Sequence, residues 1–270
     1  MPEIREHRGA LEGQPVFWRS APPPDPAAVP PLYLHGVPTS SDDWLGFLAR
    51  TGGLAPDLPG FGRSSKRGDL DFTMEGYERF VGAFLELAGV QRVQLLVHDW
   101  GGVGLLWAQR NPERVERLVV LATVPFLGGY RWHRVARAWR TRALGEMVMG
   151  ATTRWSLGRA LPRAVRDAAW PHFDQGTQRA ILRLYRSSPE EKLARAGGDL
   201  GRIDCPALVI WPDRDPYIPA RFGDGYAAVL GDARVVHLPD AGHWAWVDRP
   251  DVVDAVAAFF AGAPLPAGYA

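Results

Sequence analysis

Short aliphatic runs decide most of what this chain can become. They are PVFW (15–18), PLYLHG (31–36), VQLLVHD (93–99), RLVVLATVP (117–125), ALVIWPD (207–213) and ARVVHLP (233–239). Each is bounded by Gly, Pro or Asp, and that length and content suit buried strands. Their apolar content is continuous rather than alternating, so both faces of the sheet must be covered. Helical patterns lie between them. Tyr77, Phe80, Val81, Phe84, Leu85 and Ala88 share one helix face, and Gly89 supplies a stop. A second helix is expected over 102–110, closed by Asn111-Pro112. A last one starts at Arg249-Pro250-Asp251 and carries Val252, Val253, Val256, Phe259 and Phe260 on one side. Strands alternating with helices predict an α/β chain with a mostly parallel, doubly wound sheet. Such sheets bind ligands at the carboxyl ends of their strands.

The alternation stops over 126–202, which reads as an inserted helical cap; 1–125 and 203–270 then form the core. Trp132, Trp139, Trp155 and Trp170 are spaced through the insertion. Residues 131–202 hold fifteen Arg and Lys against six Asp and Glu, while the whole chain carries only +1, so the remainder is about eight negative. A solvated face of amphipathic helices explains that excess, and an entrance or surface attracting anions is the sharper reading. A net charge of +1 makes the whole chain no nucleic-acid polyelectrolyte. The single Cys205 excludes an intrachain disulfide and a multi-cysteine metal site. No apolar run reaches roughly 18 residues, so no membrane span is expected. MPEIREHRGALEGQP has no apolar signal core, which leads to the expectation of a cytoplasmic protein.

Chemistry concentrates in four loops. In LVHDWGG (96–102) a strand runs straight into a helix through Asp99, with Gly101 and Gly102 after it. That is the pattern of a nucleophile elbow, with Asp where Ser is usual. A carboxylate needs no base before attacking an sp3 carbon, and its product is an alkyl ester on the enzyme. The alternative is a helix N-cap, a common Asp role. In PDAGHWAWVDRP (239–250), His243 follows Gly on a loop between a strand and the last helix, where a base would stand. In VIWPDRDPYIP (209–219), Asp213 and Asp215 compete to orient that His. In LYLHGVPTSSDDW (32–44), the amide of Val37 is the expected oxyanion donor, paired with that of Trp100, and His35 is expected to be a buried structural hydrogen bonder. A neutral His243 base predicts turnover that falls as pH drops through about 6.5.

The motifs H35-G-V-P38, D57-L-P-G-F-G-R-S64, V97-H-D-W-G-G102, D213-R-D-P-Y-I-P219 and G242-H-W-A-W-V-D-R-P250 together make the chain resemble an α/β-hydrolase of the epoxide hydrolase and haloalkane dehalogenase branch. The resemblance implies Asp99 as nucleophile, His243 as base and Asp215 as acid, since the family acid immediately precedes the Pro of its loop. ATVPF (122–126) holds no acid, so the position some dehalogenases use is empty. Epoxide opening needs cap tyrosines as proton donors. Tyr185, 30 residues before Asp215, matches the second of them, and Tyr130 is the candidate for the first. Halide release needs weak N–H donors: Trp100 matches one, Val37 stands where Asn is frequent, and Trp155 is the candidate cap donor. PTSS (38–41) is dehalogenase-like, and Trp100 stands where fluoroacetate dehalogenases have Arg. Epoxide hydrolysis is the leading expectation, haloalkane dehalogenation the alternative, and an inactive binding protein on the same fold the further one. The expected partners are a small epoxide or haloalkane and water, with no cofactor, no metal and room for a homodimer.

Overall fold

The computed structural model describes residues 2–269. Eight strands form one sheet: β1 (Arg5–Leu11), β2 (Gln14–Ala21), β3 (Pro31–Leu34), β4 (Gly53–Pro56), β5 (Val93–Asp99), β6 (Val115–Thr123), β7 (Pro206–Pro212) and β8 (Asp232–Leu238). Their spatial order is β1-β2-β4-β3-β5-β6-β7-β8. The pairs β1–β2 and β2–β4 are antiparallel, and every pair from β4–β3 to β7–β8 is parallel. The six expected strands are all present. β1 and β4 escape sequence reading for opposite reasons. β1 (REHRGAL) is a polar edge strand with a mostly exposed or half-buried surface. β4 (GLAP) is four residues long, with Gly and Pro at its ends.

Alternation along the central strands divides the core into two layers. Leu32, Leu34, Leu95, Val97, Leu118, Val120 and Val209 face one side. There they meet α2 (Met74–Ala88), α3 (Val103–Ala108) and, further along the sheet, Phe222 and Tyr226 of the helix Arg221–Val229. Tyr33, Leu96, Val119, Leu121, Leu208 and Ile210 face the other, against α1 (Leu45–Thr51) and the last helix, Val252–Phe260. Both ends of α2 are fixed locally. Thr73 accepts from the Gly76 amide at its start, and Gly89 closes it at φ +68°.

Between β6 and β7 the chain builds six helices: α4 (Arg134–Arg140), α5 (Leu144–Gly150), α6 (Arg154–Leu157), α7 (Arg163–Ala169), α8 (Gln175–Ser187) and α9 (Glu190–Ala196). Ile181, Leu184 and Tyr185 of α8 join the core under the sheet's carboxyl edge. Leu157, Leu161, Val165 and Ala169 pack with Trp244. The segment leaves and rejoins the sheet at one spot: the space a side chain would need at Gly197 is occupied by the Phe126 carbonyl. No helix among the described residues is long and apolar enough to cross a membrane.

Candidate active site

Asp99 ends β5 with φ +49° and ψ −122°, a conformation that L-residues rarely hold. A strain of roughly 1–3 kcal/mol of this kind persists only where neighbours over-determine it. Here they do. The Val124 amide donates to the Asp99 carbonyl at 3.1 Å, and the Val37 amide donates to Asp99 Oδ1 at 2.7 Å. A Cβ on Gly101 would collide with the Leu34 carbonyl, and one on Gly36 with the Asp99 carboxylate. Strand, turn and carboxylate therefore close in only because these two positions lack side chains. The Asp99 side chain caps no helix, so the N-cap alternative does not describe it.

His243 stands on the loop between β8 and the short helix Ala245–Asp248. Its Nδ1 donates to Asp215 Oδ2 at 2.6 Å, which turns Nε2 toward Asp99 Oδ2 at 3.6 Å. Asp215 is fixed in turn: its Oδ1 accepts from the amides of Tyr217 at 2.7 Å and Ile218 at 3.0 Å. Asp213 lies elsewhere, paired with His237 Nδ1 at 2.8 Å on a partly exposed face. Of the two acids, Asp215 is the one in contact with His243. His35, fully buried, donates from Nδ1 to the Gly36 carbonyl and accepts the Leu58 amide at Nε2.

Electrostatics follow from this arrangement. Burial alone would depress the His243 imidazole, but the flanking carboxylates, Asp215 foremost and then Asp99, raise it to about 10. The ordinary value near 6.5 expected from sequence therefore does not describe the resting site. Burial would raise Asp99, yet its contacts with His243 and the Val37 amide hold it below the usual carboxylate range. Resting Asp99 is an anion beside an imidazolium.

A cavity of about 110 Å³ opens onto both groups. Val37, Val124, Leu157, Leu161, Ile181 and Trp244 make its wall largely apolar. Tyr130 and Tyr185 both line it. The Tyr130 hydroxyl is buried and meets no partner among the described residues. Desolvation and the charge on Asp99 push both phenols up, so both keep their protons. Trp100 is buried, stacks on Trp132 at 5.5 Å and meets the Tyr185 ring edge-on at 5.3 Å. Its indole N–H makes no well-aligned hydrogen bond among the described residues but lies beside the Tyr185 side chain, and Trp100 does not line the cavity.

Trp155 does not belong to this group. It is 68% exposed on the outer helix α6, beneath the guanidinium of Arg159, and does not line the cavity. The expectation that it donates to a halide is overturned, because α6 presents Leu157 to the cavity and leaves Trp155 outside. Trp139, which the sequence reading did not single out, lines the cavity with a buried, unpartnered indole N–H. Trp132 is committed already, donating to the Ser188 carbonyl at 3.0 Å.

Three histidine and carboxylate features also escaped the sequence. His133 lines the cavity, and its Nδ1 accepts the Ala136 amide at the head of α4, which leaves the proton on Nε2. Burial lowers its pKa to about 4, so it is a neutral donor. His98 Nε2 donates to the His243 carbonyl at 3.0 Å, tying the elbow to the base's loop. Asp43 is buried with Oδ2 unpartnered, and desolvation raises it to about 7. A helix-capping position betrays His133 locally, but only the packing of α4 over the sheet reveals the cavity. Among the described residues no group of three His, Cys, Asp or Glu has the arrangement of a metal site.

A fixed anion, an imidazole able to shuttle protons and an apolar cavity suit displacement at a carbon electrophile followed by ester hydrolysis. Comparison with known proteins agrees with the fold and with a hydrolase. Residues 31–250 match the family model for the alpha/beta hydrolase fold. The chain is 35% identical over 231 residues to haloalkane dehalogenase 1 of Mycobacterium tuberculosis strain H37Rv, covering 77% of this chain and 75% of that protein. It is 29% identical over 269 residues to the cis-3-alkyl-4-alkyloxetan-2-one decarboxylase of Xanthomonas campestris pv. campestris, covering 87% of this chain and 89% of that protein. The solved haloalkane dehalogenase DbeA from Bradyrhizobium elkani superposes with a TM-score of 0.75 at 23% identity, over 96% of this chain and 98% of that one.

Proposed function

Since this chain belongs to the α/β-hydrolase fold family, in its haloalkane dehalogenase and epoxide hydrolase branch, we propose that it is a haloalkane dehalogenase working through a covalent ester on Asp99. Sequence reading placed epoxide opening first, and the dehalogenase relatives reverse that order. The observation that carries the reading is the Trp139 indole N–H, buried without a partner on the cavity wall; Trp100 does not decide, since the resemblance gives that Trp to both activities. A halide leaving as an anion needs weak N–H donors of this kind. Trp100, beside the Tyr185 side chain, would supply a second.

Asp99 Oδ1 is held by the Val37 amide, so Oδ2 is the free oxygen. It attacks the carbon bearing the halogen; a C–O bond forms and the halide departs with the C–X electron pair. With Asp99 neutralised as the ester, the His243 imidazolium gives its Nε2 proton to solvent; water then attacks the ester carbonyl carbon while the freed Nε2 takes its proton. The amides of Val37 and Trp100 hold the oxyanion. Collapse expels the alcohol oxygen, which recovers a proton, and the Asp99 carboxylate returns. Asp215 keeps His243 in the tautomer with a proton on Nδ1. Residues 126–202 act as the cap that closes the cavity.

Epoxide hydrolysis is the second reading, favoured by the unpartnered Tyr130 hydroxyl and by Tyr185 in the same cavity. An alkoxide leaving group needs a proton, and both phenols retain theirs. The test presents purified protein with matched panels of primary haloalkanes and small epoxides, plus a dialkyl oxetan-2-one, with Asp99→Asn as blank. Halide release lost in Asp99→Asn supports the dehalogenase. Diol alone replaces it with the epoxide reading. Alkene from the oxetanone alone would sink both. His243→Gln with a turned-over substrate should accumulate one alkyl adduct on Asp99 by intact mass.

A further inference from the structure

The stretch 131–159 carries seven Arg and a single acid, Glu146. That acid is already taken by Arg186 at 2.7 Å. Arg140 is neutralised by Glu190 and Arg154 by Asp167. Among the described residues, Arg131, Arg134, Arg137, Arg142 and Arg159 are exposed and meet no carboxylate within ion-pair distance. Elsewhere arginines such as Arg19, Arg63, Arg79 and Arg114 are paired. Exposed arginines without an ion pair also occur at Arg183, Arg195, Arg202, Arg221 and Arg234, but five of these ten among the described residues fall within the 29 residues 131–159.

The same stretch holds four of the seven exposed large apolar side chains among the described residues: Val135, Leu144, Met147 and Trp155. A merely solvated helix face would carry polar groups at these positions. Met147 is 69% and Trp155 68% exposed, and the Arg159 guanidinium sits 3.9 Å over the Trp155 ring. These residues stand on α4, α5 and α6, three short helices in succession. Val135, Thr152 and Ala160, from the same helices and their ends, also line the cavity, and Val135 and Ala160 are exposed. The apolar and cationic stretch therefore adjoins the cavity at Val135, Thr152 and Ala160.

We infer that this face docks the protein onto an anionic lipid bilayer. Met147, Leu144 and Trp155 enter the interfacial layer, and the unpaired arginines meet lipid phosphates. The cavity rim then faces the phase in which apolar substrates concentrate. A nucleic acid would engage the arginines but would gain nothing from the exposed alkyl chains. The inference stands on surface composition and does not require the proposed chemistry.

The full chain is sedimented with vesicles of phosphatidylcholine alone and of phosphatidylcholine mixed with phosphatidylglycerol. Binding to the mixed vesicles only, weakened by added salt, is the expected result. Arg134→Gln with Arg137→Gln should lower the partition coefficient roughly 25-fold, about fivefold per charge. Leu144→Ser with Met147→Ser should also release the protein, while turnover of a water-soluble substrate and Tm stay as in the parent. Equal binding to both vesicles, no binding to either, or variants that bind as the parent does would overturn the inference. So would a monomer–dimer equilibrium without lipid that these variants abolish, which would make the face a protein interface.

Discussion

At the scale of single residues, the central relation is between Asp99 and His243. Two carboxylates raise His243 in the resting site, and one of them is Asp99, the proposed nucleophile. Once Asp99 becomes a neutral ester, that contribution disappears and the imidazole pKa falls. The base is thus released by the step that creates its substrate. Ester hydrolysis requires unprotonated His243, so kcat should decline as pH falls through this lowered value. Ester formation requires only anionic Asp99, held below its usual 3.8, so kcat/KM should persist to lower pH. Coincident acid limbs for kcat and kcat/KM would contradict this coupling. Asp99→Asn, a neutral stand-in for the ester, should lower the His243 pKa measured by NMR relative to the parent.

Asp43 permits a separate residue-scale prediction. Its folded pKa is raised to about 7 against 3.8 in an ordinary setting. Between those values the folded state holds a proton that the unfolded chain has lost. The unfolded state binds fewer protons there, so stability falls as pH rises from about 4 to 7, by on the order of a few kcal/mol. Asp43→Asn should remove that decline, and urea midpoints at acidic and neutral pH measure it. Parallel declines in parent and variant would show that Asp43 is not its source.

At the scale of elements, β5 and the turn after it carry the site. All seven residues of β5 are buried, with parallel neighbours on both sides. Gly101→Ala places a methyl against the Leu34 carbonyl and should cost roughly 1–3 kcal/mol, with loss of turnover as the elbow shifts. Gly46→Ala in α1 meets open space and should be neutral or stabilising by up to ~1 kcal/mol. Equal Tm values for the two variants would refute the packing argument. The elements most legible in sequence were those with continuous apolar content, and the elbow was legible because strand, Asp and glycines are consecutive. Asp215 could be chosen over Asp213 only on the resemblance, since both follow β7 and only tertiary packing puts one beside His243. The short helices α4 to α7 expose mixed faces, so Trp155 could not be told from Trp139, nor His133 recognised, without their packing against α8 and the sheet edge.

For the whole molecule, the charge is split rather than absent. Residues 131–202 are nine positive against a total of +1. An anionic haloacid should therefore reach the site faster than a neutral haloalkane of equal size, and only its kcat/KM should fall with salt. Identical salt dependence for both would mean that the field does not extend to the cavity.

The contact between Gly197 and the Phe126 carbonyl gives the inserted helices a single stem. Eight strands keep their order whether or not anything hangs from it. A segment joined this way is a graft: another set of helices with the same short stem could be exchanged for it without re-threading the sheet. Asp99, His243 and Asp215 would stay with the rootstock, while Tyr130, Trp139 and Tyr185 would travel with the scion.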